Sequence, residues 1–243
     1  MAIQKYEDMS SMELDIIKEI GSIGSGNAAT ALSSMLNTKV KMGIPEVSIL
    51  EFNEAVLRIG EPEEVVAAVM VEMSNEISGI MLFVLKEDFA EEIVKRMMGE
   101  SIVKLAEISE MDSSALVEIG NIMVSSYINA LSQLANVDIQ LSVPQMAVNM
   151  LGGILSLPMA MFGIESDRIM MIEGKFTMDE KEVSGDILLL PDVTSLNVLM
   201  KKFRNGVIYE QTSISWNCRY ENFTPGRDTH YLCTWFLYWD YVL

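Results

Sequence analysis

Two stretches of this chain are versions of one pattern. Residues 9–45 read MSSMELDIIKEIGSIGSGNAATALSSMLNTKVKMGIP, and residues 108–144, 99 positions further on, read ISEMDSSALVEIGNIMVSSYINALSQLANVDIQLSVP. Eleven of the 37 aligned positions are identical, whereas unrelated segments of ordinary composition would share about two or three. The identical positions include Glu19/Glu118, Ile20/Ile119, Gly21/Gly120, Ile23/Ile122, Ala31/Ala130, Leu32/Leu131, Asn37/Asn136 and Pro45/Pro144. A repeat of this length indicates two copies of one structural unit.

A second match extends the repeat. EISGIMLFVL (76–85) aligns with EVSGDILLLP (182–191), now at an offset of 106. Both segments are rich in strand-forming residues, and each follows another strand-like run after a turn candidate, Asn75-Glu76 or Asp179-Glu180. These connections are too short for a crossover, so we expect antiparallel hairpins.

Hydrophobic periodicity and capping residues locate the main elements. The sequence predicts long helices over 12–36 and 111–135, strands over 65–73, 77–85, 168–178 and 183–190, and shorter helices over 87–98 and 192–203. We therefore predict an α/β fold of the α+β kind, made of duplicated helix–strand–hairpin–helix halves in a pseudo-two-fold arrangement. Its long helices pack on a largely antiparallel sheet, in one domain over 1–205 whose repeats span about 9–98 and 108–204.

Composition excludes several classes of function. Asp and Glu outnumber Lys and Arg by 35 to 17, for a net charge of −18, which disfavours binding to nucleic acid or to an anionic membrane. The start of the chain lacks the apolar core of a signal peptide. The longest uncharged run, 139–164, contains two prolines and two adjacent glycines, so we expect strand, turn and short helix there rather than a membrane span. A cytoplasmic location fits a body without cysteine.

The last 38 residues differ from the rest. Residues 206–243 hold 10 of the 18 aromatic residues, all three tryptophans, both cysteines and the single histidine, whereas all 20 methionines precede them. Three interpretations compete: an out-of-frame or appended end, which we favour as a non-native or disordered tail, an added partner-binding segment, and a genuine terminal element. The scattered His230, Cys218 and Cys233 lack the short repeated spacing of a metal site, and we predict none.

The second repeated helix has a polar stripe opposite its core stripe. At about 100° per residue, Ser114, Glu118, Asn121 and Ser125 fall on one face. The opposite face is expected to be buried, and it comprises Leu116, Ile119, Met123, Tyr127, Ala130 and Leu134. A Glu-x-x-Asn pair is common on solvated helices, but a carboxylate and an amide three positions apart can also contact one ligand.

Two further patterns favour structural roles. Gly21-Ser-Ile-Gly24-Ser-Gly26 resembles a phosphate loop, yet it lies inside a helix and no Lys-Ser/Thr follows it, so close helix packing is the better interpretation. Methionine is adaptable core filler and also suits binding surfaces. We expect most methionines in the core, with exposed members conceivable in the pairs Met97-Met98 and Met170-Met171.

The polar stripe is held in both halves at one spacing. The first copy reads Asp15-x3-Glu19-x2-Ser22-x22-Pro45, and the second reads Ser114-x3-Glu118-x2-Asn121-x22-Pro144. This pattern resembles the signature of the CheC family of chemotaxis phosphatases, and LDIIKEIGSIGSGNAATALSSMLN (14–37) is similar to the first helix of that family. The resemblance covers roughly residues 10–204.

The resemblance implies an activity. CheC-like proteins remove the phosphoryl group from the aspartate of the response regulator CheY, with an Asn that positions water and a Glu that docks the partner. Carried over, Glu118 and Asn121 of the second repeat form the catalytic site, and Glu19 with Ser22 forms another site in the first repeat. Because Ser22 stands where the pattern expects Asn, we expect that site of the first repeat to be degenerate. No cofactor is expected on this chain, since magnesium and the active-site lysine belong to the response regulator.

Two alternatives stay open. The first is a non-enzymatic adaptor, since CheC-like proteins are also partners of the receptor deamidase CheD. The second is a flagellar-switch component of the related phosphatase type, although those proteins add a switch-binding domain for which no stretch here is long enough. The expected partners are thus phosphorylated CheY and CheD, in bacterial or archaeal chemotaxis.

Overall fold

A computed structural model of the chain describes residues 9–99, 104–162, 168–179, 181–192 and 194–203. The predicted domain boundary at 205 and the tail 206–243, with His230, Cys218 and Cys233, lie outside these residues. The predictions made for that segment therefore stay predictions.

The two halves contain the same elements in the same order. The first half comprises α1 (Ser11–Met35), β1 (Val40–Met42), β2 (Glu46–Glu51), α2 (Phe52–Ile59), β3 (Val65–Asn75), β4 (Gly79–Leu85) and α3 (Glu87–Met98). A short 3-10 turn, Leu105–Glu107, precedes the second half, which comprises α4 (Glu110–Ala135), β5 (Ile139–Leu141), β6 (Gln145–Met150), α5 (Leu151–Phe162), β7 (Arg168–Met178), β8 (Lys181–Pro191) and α6 (194–203). The predicted long helices and hairpins are confirmed. The short helix α2 was missed, although its counterpart α5 falls in the uncharged run where a short helix was expected.

The duplication is visible in the strand register. Strands β4 and β8 pair antiparallel at the centre of the sheet, with Leu82 opposite Leu188 and Leu85 opposite Gly185. Leu188 follows Leu82 by 106 residues, which is the offset of the hairpin repeat. These two residues are therefore equivalent positions of the two repeats, and they pair with each other. The pseudo-two-fold axis therefore passes between these two residues, and the predicted arrangement is confirmed.

The halves also exchange strands. The sheet runs β1-β7-β8-β4-β3-β5, with β2 also paired to β7 and β6 also paired to β3. Strands β1 and β2 of the first half thus pair with the second half, and β5 and β6 pair with the first. Because each half completes the sheet of the other, neither can satisfy its backbone hydrogen bonds alone.

Local signals fix the ends of the elements. Ser10 caps α1 in a capping box with Glu13, and Ser109 caps α4 through the backbone N–H of Asp112. Both long helices are followed by an asparagine with positive φ, 47° at Asn37 and 48° at Asn136. The hairpin turns also have a positive φ, at Asn75 and Asp179, as expected of residues that tolerate the left-handed region.

The sheet is covered on both faces. Helices α1, α3, α4 and α6 bury one face around Ile20, Phe83, Leu116 and other apolar residues. The shorter α2 and α5 bury the opposite face with the alternate side chains of the same strands. No described helix is long and apolar enough to cross a membrane.

Candidate functional site

The long helices α1 and α4 pack against each other in antiparallel directions. Gly24 of α1 lies beside Tyr127 of α4. Ile20, four residues before Gly24, and Leu131, four residues after Tyr127, line the same small apolar cavity. The two helices therefore run in opposite directions. A Cβ added to Gly24 would lie 2.9 Å from the Tyr127 ring and 3.0 Å from its Cα. The absence of a side chain at Gly24 therefore sets how closely the helices approach.

Tyr127 is buried in the contact between α1 and α4. Its buried hydroxyl lies 2.7 Å from Ser25 Oγ, and Ser25 Oγ in turn donates to Gly21 O over 2.6 Å. Burial raises the pKa of the Tyr127 phenol to about 12, so the phenol is neutral near pH 7. Both polar groups are satisfied inside the core, which marks them as structural.

The predicted site residues face outward from this helix pair. Glu118 is exposed and Asn121 is half-buried on α4, and Glu19 is exposed and Ser22 half-buried on α1. Within the described part of the chain, neither glutamate makes a side-chain hydrogen bond or ion pair. In each pair, a carboxylate without a partner among the described residues is thus close in sequence to a polar side chain.

The structure keeps the two pairs apart. Because α1 and α4 run antiparallel, Glu19 and Glu118 lie toward opposite ends of the helix pair. With Gly24 and Tyr127 side by side, the carboxylates are about 20 Å apart along the common axis at 1.5 Å per residue. The chain therefore carries two separate candidate sites rather than one composite site.

The four motif-supporting residues have different environments. Asp15 lies on the surface, 3.6 Å from Lys18 Nζ, and Ser114 donates its hydroxyl to Glu110 O over 2.9 Å. Pro45 is buried against α1, where its Cγ would lie 3.0 Å from a Cβ on Gly21. Pro144 is half-buried. The first proline thus packs one residue away from Ser22, which links the loop of the motif to its helix.

One contact at the second site was not predicted. Ser125 Oγ donates a hydrogen bond of 3.4 Å to Asn121 Oδ1, which holds the amide with its NH₂ group directed away from Ser125. The sequence placed Ser125 on the polar stripe without giving it a role. Its spacing of four residues from Asn121 was the available signal. The equivalent position of the first half is Gly26, which has no side chain to do the same.

Other expectations have mixed outcomes. Close helix packing of the glycine-rich segment is confirmed at Gly24, which lies against α4. Gly21 instead packs on the loop residue Pro45 and on the sheet, and nothing lies within 4 Å of a Cβ on Gly26. Leu134 was assigned to the core but is 44% exposed, because it lies near the end of α4 and the buried stripe has moved to Leu131 and Ala135. Of the methionine pairs, Met98 is exposed while Met170 and Met171 are fully buried.

The titratable groups do not assemble a metal site within the described ranges. No three of the His, Cys, Asp and Glu side chains there are grouped so that they could hold an ion. The site chemistry available to these residues is therefore the hydrogen bonding of an amide and the charge of a carboxylate.

Comparison with known proteins agrees with the duplicated motif. The model of the CheC-like family matches residues 12–49 and 111–147, which are the two long helices with their following loops. The chain is therefore similar to the CheC-like family over both repeated helices. These helices carry the two copies of the motif, and Ser22 is the departure from the expected pattern.

Two known proteins are similar to this chain in sequence. The chain is 28% identical over 198 residues to the CheY-P phosphatase CheC of Bacillus subtilis (strain 168), covering 80% of this chain and 95% of that protein. It is 32% identical over 144 residues to the flagellar motor switch phosphatase FliY of the same organism, but spans only 37% of that protein.

Solved structures support the fold. The FliY crystal structure from Thermotoga maritima superposes with a TM-score of 0.66 at 23% identity, covering 82% of this chain and 99% of that one. The middle domain of FliM from H. pylori gives a TM-score of 0.59 at 12% identity, covering 80% of this chain and 99% of that one. At these identities the likeness supports the CheC-like fold and carries no residue roles.

Proposed function

We propose that this chain hydrolyses the phosphoaspartate of the chemotaxis response regulator CheY, with Asn121 and Glu118 as its working site. The observation that carries the proposal is the paired, outward-facing Glu118 and Asn121, whose amide is oriented by Ser125. The match to the CheC-like family model and the phosphatase names of the relatives support the same reaction class.

The role of Asn121 follows from the chemistry of an acyl phosphate. In the hydrolysis, a water oxygen forms a bond to phosphorus and the bond between phosphorus and the aspartyl oxygen breaks. The products are phosphate and a free carboxylate. An acyl phosphate is already activated, so the main need is a water held in line with that bond. An amide can donate to and accept from one water in a fixed plane, and the 3.4 Å contact from Ser125 favours one orientation of that plane.

Glu118 acts as the docking group in this proposal. Its exposed carboxylate has no partner among the described residues, so a lysine of the response regulator can pair with it without displacing an internal contact. A charge-assisted hydrogen bond of this kind also fixes the orientation of the partner. Magnesium and the active-site lysine are expected from the response regulator, as the family resemblance implies.

The first site is proposed to dock without efficient catalysis. Glu19 retains the carboxylate, but Ser22 offers a shorter side chain that ends one bond after Cβ. A water held by Ser22 would therefore lie nearer the helix than one held by Asn121. The lack of a side chain at Gly26 removes the orienting group as well.

The test is phosphate release from phosphorylated response regulator, measured with wild type, Asn121→Ala and the matched variant Ser22→Ala. Wild type should accelerate release, and Asn121→Ala should lower the catalysed rate about 100-fold, the loss typical of one oriented polar group. Ser22→Ala should have the smaller effect. If Asn121→Ala kept more than half the rate while Ser22→Ala lost it, the assignment of the two sites would be reversed.

The same assay separates the enzyme from the adaptor. An adaptor that binds CheD and phosphorylated CheY would not accelerate phosphate release, although it would still bind the response regulator. Absence of acceleration by wild type, together with measurable binding of CheD, would favour the adaptor function.

A further inference from the structure

Exposed apolar side chains are distributed unevenly over the repeats. Eleven large apolar side chains are exposed among the described residues. Four of them form two repeat-equivalent pairs: Met12 with Met111, 49% and 67% exposed, and Ile44 with Val143, 92% and 82% exposed. None of the other seven has an exposed apolar side chain at its equivalent position.

Both pairs lie next to the proposed sites. Met12 precedes Glu19 by seven residues on α1, and Met111 precedes Glu118 by the same interval on α4. Seven residues are nearly two full turns, so each methionine shares the face of its glutamate at a distance of about 10 Å along the helix.

The other pair approaches from the loop side. Ile44 directly precedes Pro45, whose ring packs on Gly21, the neighbour of Ser22. Val143 precedes Pro144 in the equivalent loop. Ile44 is therefore next in the chain to a proline that contacts α1 two residues after Glu19.

Backbone hydrogen bonds hold the two loops in the same way. The N–H of Gly43 donates to Lys175 O over 3.0 Å, and the N–H of its equivalent Ser142 donates to Glu72 O over 2.9 Å. The loops that present Ile44 and Val143 are thus anchored to the sheet. A fixed, solvated aliphatic side chain adds nothing to the core, but it loses little conformational entropy when a partner covers it.

We infer that Met111 and Val143, and their equivalents Met12 and Ile44, form the apolar flanks of a docking surface for the response regulator around each glutamate. This inference rests on the proposed function. The expected occupant is a protein face that presents a lysine ammonium beside the phosphorylated aspartate and exposed apolar groups on either side. The unpaired carboxylate complements that cation, and the flanks exclude water from the ion pair, as at interface hot spots.

The flanks should control binding rather than chemistry. Val143→Ser should raise the KM for phosphorylated response regulator about tenfold, the loss expected when one aliphatic side chain is no longer buried, and lower kcat less than twofold. Val143→Ile, which copies the residue of the first repeat, should keep KM within about twofold. Met111→Ser should raise KM in the same direction as Val143→Ser.

The matched control is Leu57→Ser on α2. Leu57 is 69% exposed but lies on a helix that covers the other face of the sheet, so its loss should leave KM unchanged. Thermal melting of Val143→Ser should match wild type because this side chain is not in the core. Equal KM values for Val143→Ser and Leu57→Ser would overturn the inference.

A second measurement separates this inference from the proposed function. Binding is measured without turnover, using the response regulator held in its phosphorylated-like state by beryllium trifluoride. Ile44→Ser and Val143→Ser should each weaken binding relative to Leu57→Ser. If wild type bound and the flank variants bound more weakly, but no phosphate were released, the docking surface would stand while the phosphatase function failed. If wild type neither bound nor released phosphate, both would be wrong.

Discussion

The two halves of this molecule share a scaffold and differ in chemistry. Both present a glutamate on the outward face of a long helix, at Glu19 and Glu118, with the same helix caps and the same exchanged strands. The first half then has Ser22 and Gly26 where the second has Asn121 and Ser125. Duplication has thus preserved what holds the helices on the sheet, whereas the amide and the hydroxyl that we propose orient a water are present in one copy.

The comparison extends into the contact between the helices. Gly24 and Tyr127 meet there, and their repeat equivalents are Met123 and Ala28. The first half thus contributes two small residues, Gly24 and Ala28, and the second half contributes two large ones, Met123 and Tyr127. Two identical copies of either half would bring two small or two large side chains together, so this difference serves packing and is independent of the site.

The largest effect should come from making the second site a copy of the first. Asn121→Ser should lower the catalysed rate of phosphate release by up to about 100-fold, the loss expected for Asn121→Ala, because the serine hydroxyl ends too close to the helix to hold the water in line. The measurement is kcat under saturating response regulator. Because Glu118 is retained, KM should change much less than kcat. A variant that kept the wild-type kcat would show that the two halves do not differ in the way proposed.

The sequence predicted much of this comparison. The repeat offset located both long helices and both hairpins, since the pattern of apolar residues and turn residues is local. Glu118 and Asn121 were placed on one exposed face by helical periodicity alone.

Nonlocal features could not be predicted in this way. The exchange of β1 and β2 onto β7 depends on which strand edges meet, and both pairings satisfy the same alternation of side chains. The hydrogen bond from Ser125 depends on side-chain rotamers. The exposure of Leu134 depends on which side of α4 is covered near the end of the helix, where Leu131 and Ala135 are the buried residues. Each of these is decided by packing between segments distant in sequence.

The second prediction tests the packing side of the comparison. Gly24→Ala would force a Cβ against Tyr127 and should destabilise the protein by about 2 kcal/mol, a typical cost of overpacking. Gly26→Ala, two residues away, meets open space and should stabilise it by up to about 1 kcal/mol through helix propensity. Urea unfolding should therefore place the two variants about 3 kcal/mol apart. Shifts of the same sign would contradict the packing role of Gly24.

A buried acid distinguishes the halves at the sheet. Asp186 on β8 is 7% exposed and lies opposite Glu173 on β7, whereas its repeat equivalent on β4 is the buried Ile80. The side chain of Asp186 makes no hydrogen bond or ion pair within the described residues. Burial, and then the nearby charge of Glu173, raise the pKa of Asp186 to about 7 from its ordinary 3.8.

The third prediction follows from the sign of this shift. Because the folded-state pKa lies above the unfolded value, the stability due to a protonated Asp186 is present below about pH 4 and is lost as the pH rises through about 7. Asp186→Asn keeps the group neutral and should be more stable than wild type by about 2 kcal/mol at pH 8, less than the full shift because buried sites relax. The gap should shrink markedly at pH 5. Thermal melting at both pH values measures it, and a gap independent of pH would contradict the shift.

The smallest effect should come from rebuilding the first site. The double variant Ser22→Asn with Gly26→Ser restores both residues that distinguish the second site, and it should raise the catalysed rate at most about twofold, since a wild-type second site already works.

In the background of Asn121→Ser, the same pair should restore a measurable part of the lost activity. Ser22→Asn alone should restore less, because Gly26 cannot orient the new amide. If both versions restored nothing, Glu19 and its surroundings would differ from Glu118 in more than these two side chains. Rescue by the pair but not by the single variant would instead assign the difference between the halves to an amide and the hydroxyl that holds it.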